Sequence, residues 1–421
     1  MYETQKKEKA LLIMVEVGKE KWPLEVLMEE FKNLVISTGI EVGDIILIKR
    51  KEISPALYIG RGKAEELAKK VEEKNIDVVI FNNNLSFTQQ RNLEDILMVK
   101  TIDRTQLILD IFAHHAHTQE GILQVELAQL KYLLPRLKGK GIMLSRLGGG
   151  IGTRGPGEKK LEVDRRKITD RIKHLEKELN EVKNYRELLR KKREREKIPV
   201  CSLVGYTNAG KSTLFNALTQ SQQKTSPNLF TTLDTVSRSF VLHNLKVILT
   251  DTVGFLYKIP PYLIEAFKAT LEELKFADLL IHVIDANSLD IKRLIESVNT
   301  VLEDLSLINK PILIVFNKID LINQEELHNL EKEYPEAIFV SALKNINLKS
   351  LKEKIYQLVF NEMREFILRV PFNAMDLVDY IHKHCEIFKK EYEKNEVVYW
   401  VRAKKETISY LEKKGLAVKE I

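Results

Sequence analysis

A chain of 421 residues is too long for one ordinary hydrophobic core, and its length suggests about two to four domains. With 44% apolar and 30% charged residues it reads as an ordinary soluble globular protein, and no apolar run nears the ~20 residues of a membrane-crossing helix. The net charge of +7 is concentrated between Lys159 and Lys197, where sixteen Lys/Arg face nine Asp/Glu, while the remainder is neutral. Such a segment is either a solvated helix face or a polyanion-binding surface, and charge alone favours the solvated face.

The start, Met1-Tyr2-Glu3-Thr4-Gln5-Lys6-Lys7, lacks the apolar core of a secretory signal. Cys201 and Cys385 are far apart with no metal-ligand spacing, which fits a reducing cytoplasm.

Residues 1–112 should form an N-terminal α/β domain. Leu11–Val15 and Asp77–Phe81 look like buried strands, and Leu24–Ser37 and Lys63–Lys74 have helical spacing. Tyr58-Ile59-Gly60-Arg61-Gly62-Lys63 superficially resembles a phosphate loop but lacks the full spacing. His114, His115 and His117 have no carboxylate or Cys at metal-ligand spacing, so surface or RNA contact is preferred over metal.

Residues 113–197 read as a helical hairpin. Thr118–Leu137 should be helix, with Ile122, Val125, Ala128 or Gln129, and Tyr132 on one stripe. Six glycines and Pro156 within Leu147–Gly157 preclude helix or strand interior, and the flanking Arg146 and Arg154 favour a functional loop over a linker. Ile168, Ile172, Leu175, Leu179, Val182 and Leu189 then repeat at heptad spacing, predicting one long helix over Lys159–Glu196 with a single apolar seam. Pro199 ends it.

Residues 198–365 alternate strands and helical stretches, the signature of a parallel, doubly wound sheet; the strands expected are Val200–Val204, Val247–Thr250, Leu279–Ile284, Ile312–Phe316 and Ala337–Val340. Gly205-Tyr206-Thr207-Asn208-Ala209-Gly210-Lys211-Ser212 is a complete phosphate loop between strand and helix. Its backbone N–H groups can wrap phosphate, Lys211 can reach the β- and γ-phosphates, and Ser212 can ligate Mg²⁺. Asp251-Thr252-Val253-Gly254 follows a strand; Asp251 can hold Mg²⁺ through water, and the Gly254 N–H can meet the γ-phosphate. Asn317-Lys318-Ile319-Asp320 closes another strand, and the Asp320 carboxylate would accept from guanine N1–H and N2–H₂ while repelling adenine N1. Ser341-Ala342-Leu343 can offer a backbone N–H to guanine O6.

Phe230-Thr231-Thr232-Leu233-Asp234 is the candidate mobile switch, with Thr232, or alternatively Thr231, giving a second Mg²⁺ oxygen. Together these motifs imply GTP binding and hydrolysis, with Lys211, Thr232, Asp251 and Gly254 carrying the reaction. Phe255 occupies the place where many GTPases orient water with Gln, so slow unassisted turnover is expected. Asn208 is a candidate K⁺ ligand. Residues 366–421 should form a small α+β tail domain with a strand at Val397–Val401.

These motifs, together with Leu85-Ser86, Gln89–Glu94, Asp103-Arg104-Thr105, Leu123–Leu130 and the run Gly148–Glu158, resemble the HflX family of translational GTPases over nearly the whole chain. The resemblance implies a nucleotide-binding-like N-terminal domain, the hairpin, a P-loop GTPase domain and a small C-terminal domain. It also implies binding to the large ribosomal subunit and rRNA, and the splitting or recycling of stalled or idle ribosomes, with the glycine loop near the peptidyl-transferase region. Arg146, Arg154, Arg165 and Arg166 are then the candidate rRNA contacts. ATP at the N-terminal domain, a monomer, and a cytoplasmic location with peripheral membrane association as a variant complete that picture, with no residues assignable to ATP. A GTPase timing ribosome assembly or assisting RNA modification is the alternative. Leu147, Asn82-Asn83-Asn84, His114–His117 and Lys344–Asn347 depart from the family pattern.

Overall fold

The computed structural model describes residues 8–18, 22–145, 156–195, 198–221, 236–257, 271, 273–361 and 363–421. It divides into two compact units, Met1–Leu189 with Ser226–Asp234 and Leu256–Ala269, and Arg190–Thr225 with Thr235–Phe255 and Thr270–Ile421.

The first unit is built on a parallel sheet of order β2-β1-β3-β4, from β1 (Lys9–Val17), β2 (Glu41–Arg50), β3 (Val78–Phe81) and β4 (Lys100–Ile102). The buried run Ala10–Val15 is the central strand that helices on both faces demand. Helix α1 (Leu24–Ser37) buries Leu27, Phe31, Leu34 and Val35 at helical spacing, and α2 (Arg61–Glu73) buries Ala64, Leu67 and Val71. The helix α3 (Phe87–Leu97) starts on a capping box of Ser86 and Gln89, and α4 (Arg104–His115) on the Asp103 carboxylate, which accepts from the Gln106 N–H.

Helices α5 (Gln119–Ser145) and α6 (Pro156–Arg195) pack as an antiparallel hairpin. Leu123, Leu127, Leu130 and Leu134 meet Ile168, Ile172, Leu175 and Leu179. The cross-helix pairs Glu120–Arg186 and Lys131–Glu176 step in opposite directions along the two helices, and Glu126–Arg171 adds a third link between them. The expected stripe on α5 needs correction. Ile122 is half exposed, whereas Val125, Ala128 and Tyr132 are buried. The helix therefore carries a second apolar face besides its hairpin seam, and its Tyr132 hydroxyl reaches Asp103. On α6 the seam includes the four expected positions to Leu179; Val182 is half-buried, and the Leu189 side chain lies outside the described residues.

The second unit contains a six-stranded sheet, order β10-β9-β8-β5-β7-β6: β5 (Val200–Val204), β6 (Val236–Leu242), β7 (Leu245–Asp251), β8 (Leu279–Asp285), β9 (Ile312–Asn317) and β10 (Ile338–Phe339). All neighbours are parallel except β6, which runs antiparallel to β7 through a tight turn with positive φ at His243 and Asn244. Sequence reading missed β6, whose exposed Ser237, Arg238 and Ser239 dilute its apolar pattern. Strand β11 (Met363–Pro371) begins before the expected boundary at 366. With β12 (Glu386–Tyr392), β13 (Glu396–Lys404) and β14 (Ala417–Glu420) it forms an antiparallel sheet of order β12-β13-β11-β14. The helices Val378–His384 and Lys405–Lys413 complete a β-α-β-β-α-β arrangement around Phe366, Leu368, Val370, Tyr399 and Val401.

Candidate functional site

The phosphate loop runs from the buried strand β5 into α7 (Lys211–Thr219) at the centre of the six-stranded sheet. Two glycines are dictated by space. A Cβ on Gly205 would lie 2.2 Å from the Val283 carbonyl oxygen, and one on Gly210, at φ +87°, would lie 2.2 Å from the Asn317 side-chain nitrogen. The Lys211 ammonium is buried and donates to the carbonyls of Gly205 at 3.1 Å and Tyr206 at 2.8 Å. Burial pushes its pKa down to about 8, with the nearby Asp251 carboxylate opposing the shift. Asn208 is exposed at φ +61° on the rim of the loop.

Strand β7 delivers Asp251, fully buried, and Thr252, whose hydroxyl donates to the Leu203 carbonyl at 2.6 Å. Gly254 passes so close that a Cβ there would sit 2.9 Å from the Thr207 Cα and 3.0 Å from the Lys211 nitrogen. Phe255 is zipped to the phosphate loop by its backbone: its N–H donates to the Gly205 carbonyl at 3.1 Å, and its carbonyl accepts from the Thr207 N–H at 2.9 Å. The Phe255 side chain is buried. The hydrocarbon ring there has no group to polarise water.

On the other side of the loop, Asn317 joins three segments. Its amide nitrogen donates to the Ala209 carbonyl at 3.0 Å, and its oxygen accepts from the Ala342 N–H at 2.9 Å. Lys318, at φ +66°, extends its ammonium to Asp285 at 2.6 Å. Asp320 sits half-buried in the turn Ile319–Leu321. Ser341 is fully buried, and its hydroxyl accepts from the Lys344 N–H at 3.1 Å, which shapes this loop without a glycine. The Leu343 side chain is exposed.

The motifs at 205–212, 251–254, 317–320 and 341–343 thus gather along one edge of the sheet. Phe230–Asp234, with Thr231 and Thr232, and the arginines Arg146 and Arg154 lie outside the described residues. Arg165 and Arg166 are exposed on α6, Arg165 near Glu162 at 4.0 Å. His114 and His115 bond the carbonyls of Asp110 and Ile111 one turn back, and no metal-ligand cluster occurs among the described residues.

Two participants escaped sequence reading. Asp285 could have been suspected from its place at the end of β8, level with Asn317 on β9. His282 is buried beside the site; burial and the Lys211 charge push its pKa down to about 4. An isolated polar residue within an apolar strand was its only signal.

Three family descriptions match in tandem: "GTP-binding GTPase N-terminal" over residues 25–113, "GTP-binding GTPase Middle Region" over 115–193 and "50S ribosome-binding GTPase" over 200–318. The chain is 48% identical to the GTPase HflX of Caldanaerobacter subterraneus over 388 residues, covering 92% of this chain and 89% of that protein. It is 43% identical to the Escherichia coli GTPase HflX, covering 86% of each, and 36% identical to that of Methanocaldococcus jannaschii, covering 91% and 94%. Among solved structures, the SsGBP–GDP complex is 32% identical with a TM-score of 0.49, covering 84% of this chain and 99% of that one. On the identities to these HflX proteins over most of both chains, the chain belongs to the HflX family of GTPases.

Proposed function

We propose that this GTPase binds the large ribosomal subunit through its basic hairpin and uses the GTP cycle to split or recycle ribosomes. The carrying observation is the hairpin itself. Helix α6 is 40 residues long, and the stretch Lys159–Lys197 holds the chain's whole charge surplus. The description "50S ribosome-binding GTPase" for the family matching residues 200–318 supports the same partner. Arg146, Arg154, Arg165 and Arg166 are the proposed rRNA contacts, acting chiefly by phosphate neutralisation.

In the nucleotide site, the backbone of Gly205–Ser212 cradles the phosphates, Lys211 contacts the β- and γ-phosphates, and Gly254 offers its N–H to the γ-phosphate. Asn317 and Asp320, with Ala342, read guanine. The donors suit Mg²⁺: the Ser212 hydroxyl opens α7 and the buried Asp251 carboxylate ends β7, both hard oxygens. Ser212 and Thr232 would hold the ion, with Asp251 acting through water. When bound, Mg²⁺ neutralises charge developing on the transferred phosphate. Asn208 is the proposed K⁺ ligand, so replacing K⁺ by Na⁺ should slow turnover. An indifferent rate would remove that role. No helix is long and apolar enough to cross a membrane among the described residues. We place the chain in the cytoplasm as a monomer, with ATP at the N-terminal domain left without assigned residues.

Sucrose-gradient analysis of purified ribosomes tests the proposal. With GTP, the protein should convert ribosomes to free subunits, and a chain lacking residues 142–157 should not. Undiminished splitting by that variant would contradict the role given to the hairpin.

A further inference from the structure

Asp103 and Arg104 are consecutive, yet they hold different parts of the first unit. Asp103 is fully buried and turns toward the hairpin. Its carboxylate accepts from the Tyr132 hydroxyl at 2.9 Å, from Arg136 at 3.0 Å and from the Leu85 N–H at 3.2 Å. Arg136 lies over the Tyr132 ring at 3.5 Å and donates to the Leu85 carbonyl at 2.9 Å. A buried carboxylate with this many donors is fixed in place, so this part of α5 is pinned where α4 begins.

Arg104 faces elsewhere. Its guanidinium bonds the Glu30 carboxylate and the Asn82 side-chain oxygen, and donates to the Tyr257 backbone carbonyl at 3.0 Å. Both Arg104 and Glu30 side chains are under a tenth exposed. Trp22 packs its ring on that of Tyr257 at 4.9 Å. The planar guanidinium reaches these three acceptors from two different nitrogens of a rigid fork, a spread that the single nitrogen of a lysine does not reproduce. Tyr257 comes just three residues after Gly254 and groups with the first unit.

We propose that Asp103 and Arg104 form a positioning pair, coupling Tyr257, just past the Asp251–Gly254 motif, to the base of the hairpin. Any shift of Tyr257 on exchange of GDP for GTP pulls on Arg104. Because Arg104 and Asp103 share the first turn of α4, the strain is delivered to Tyr132 and Arg136. The hairpin then acts as a lever set by the nucleotide.

The inference rests on the hairpin being the working arm, but its test needs no ribosome. Amide hydrogen exchange is measured over residues 131–137 in the full chain, with GDP and with a non-hydrolysable GTP analogue. Exchange should differ between the two by about fivefold or more, the size expected of ordinary coupling. Arg104→Lys and Glu30→Gln should abolish the difference while leaving GDP affinity unchanged. Equal exchange in the wild-type protein overturns the inference whether or not the variants fold, and so does a difference that survives in a folded variant. Failure of ribosome splitting with the exchange difference intact would instead count against the hairpin's proposed role.

Discussion

The side chain of Asn317 lies 3.0 Å from the Ala209 carbonyl and so bonds the end of β9 directly to the phosphate loop. Its oxygen meanwhile takes the Ala342 N–H. One amide therefore sets the distance between the segments proposed to hold phosphate and base. Asn317→Asp keeps the acceptor but places a carboxylate oxygen against the Ala209 carbonyl. A buried mismatch of this kind costs about 1–3 kcal/mol, so GDP affinity should fall about 5- to 150-fold. Titration with a fluorescent GDP analogue reads this directly. An unchanged affinity would show that the three segments hold their places without this amide.

Lys211 gives a pH prediction with a definite sign. Its pKa is lowered to about 8 by burial, against 10.5 for a free lysine. Between these values the unfolded chain binds the extra proton, so stability without nucleotide should rise with pH from about 8 toward 10.5. Bound phosphate favours the charged ammonium. Binding of GDP above about pH 8 should therefore take up a proton and weaken as pH rises. Calorimetry in buffers of different ionisation enthalpy measures the uptake, and Lys211→Met should lose it.

His282 behaves similarly at acid pH. Its pKa is lowered to about 4 from 6.5, so the stability it confers by staying neutral is present above 6.5 and is lost as pH falls toward 4. The full loss is about 3 kcal/mol. Thermal melts of His282→Leu should show a shallower decline between pH 6.5 and 4 than the parent. Parallel curves would mean that other groups dominate acid denaturation.

Leu175 has no exposed surface in the hairpin seam, where it packs with Leu123, Leu127 and Ile172. Leu175→Ala removes this packing and leaves a cavity, a change worth about 2–5 kcal/mol. Protease susceptibility should rise within the hairpin while GDP binding stays intact. A loss of both together would mean that the hairpin and the nucleotide site do not unfold separately.

Most of the candidate site was legible because its chemistry is local. The loop Gly205–Ser212 needs its glycines and lysine in fixed order, and Asp251 and Asn317 each close a strand. Helix α1 was readable to its ends because its apolar residues follow one helical face. Long-range facts were not readable. The pairing of Lys318 with Asp285 joins different strand ends, and β6 is an edge strand whose polar residues hide its alternation. On α5 two apolar faces overlap in one sequence, so a single-stripe reading misplaced Ile122. In the last domain, β12 and β14 are mostly exposed, β11 interrupts its buried Phe366, Leu368 and Val370 with Arg364, Glu365 and Arg369, and only β13 carries a continuous apolar run.

The most direct test of the account is the steady-state GTPase rate of the full chain with and without purified large ribosomal subunits. Phe255 is buried and has no group to orient water, so the unassisted rate should be low and large subunits should raise it at least about tenfold. A rate indifferent to large subunits would contradict the ribosomal reading.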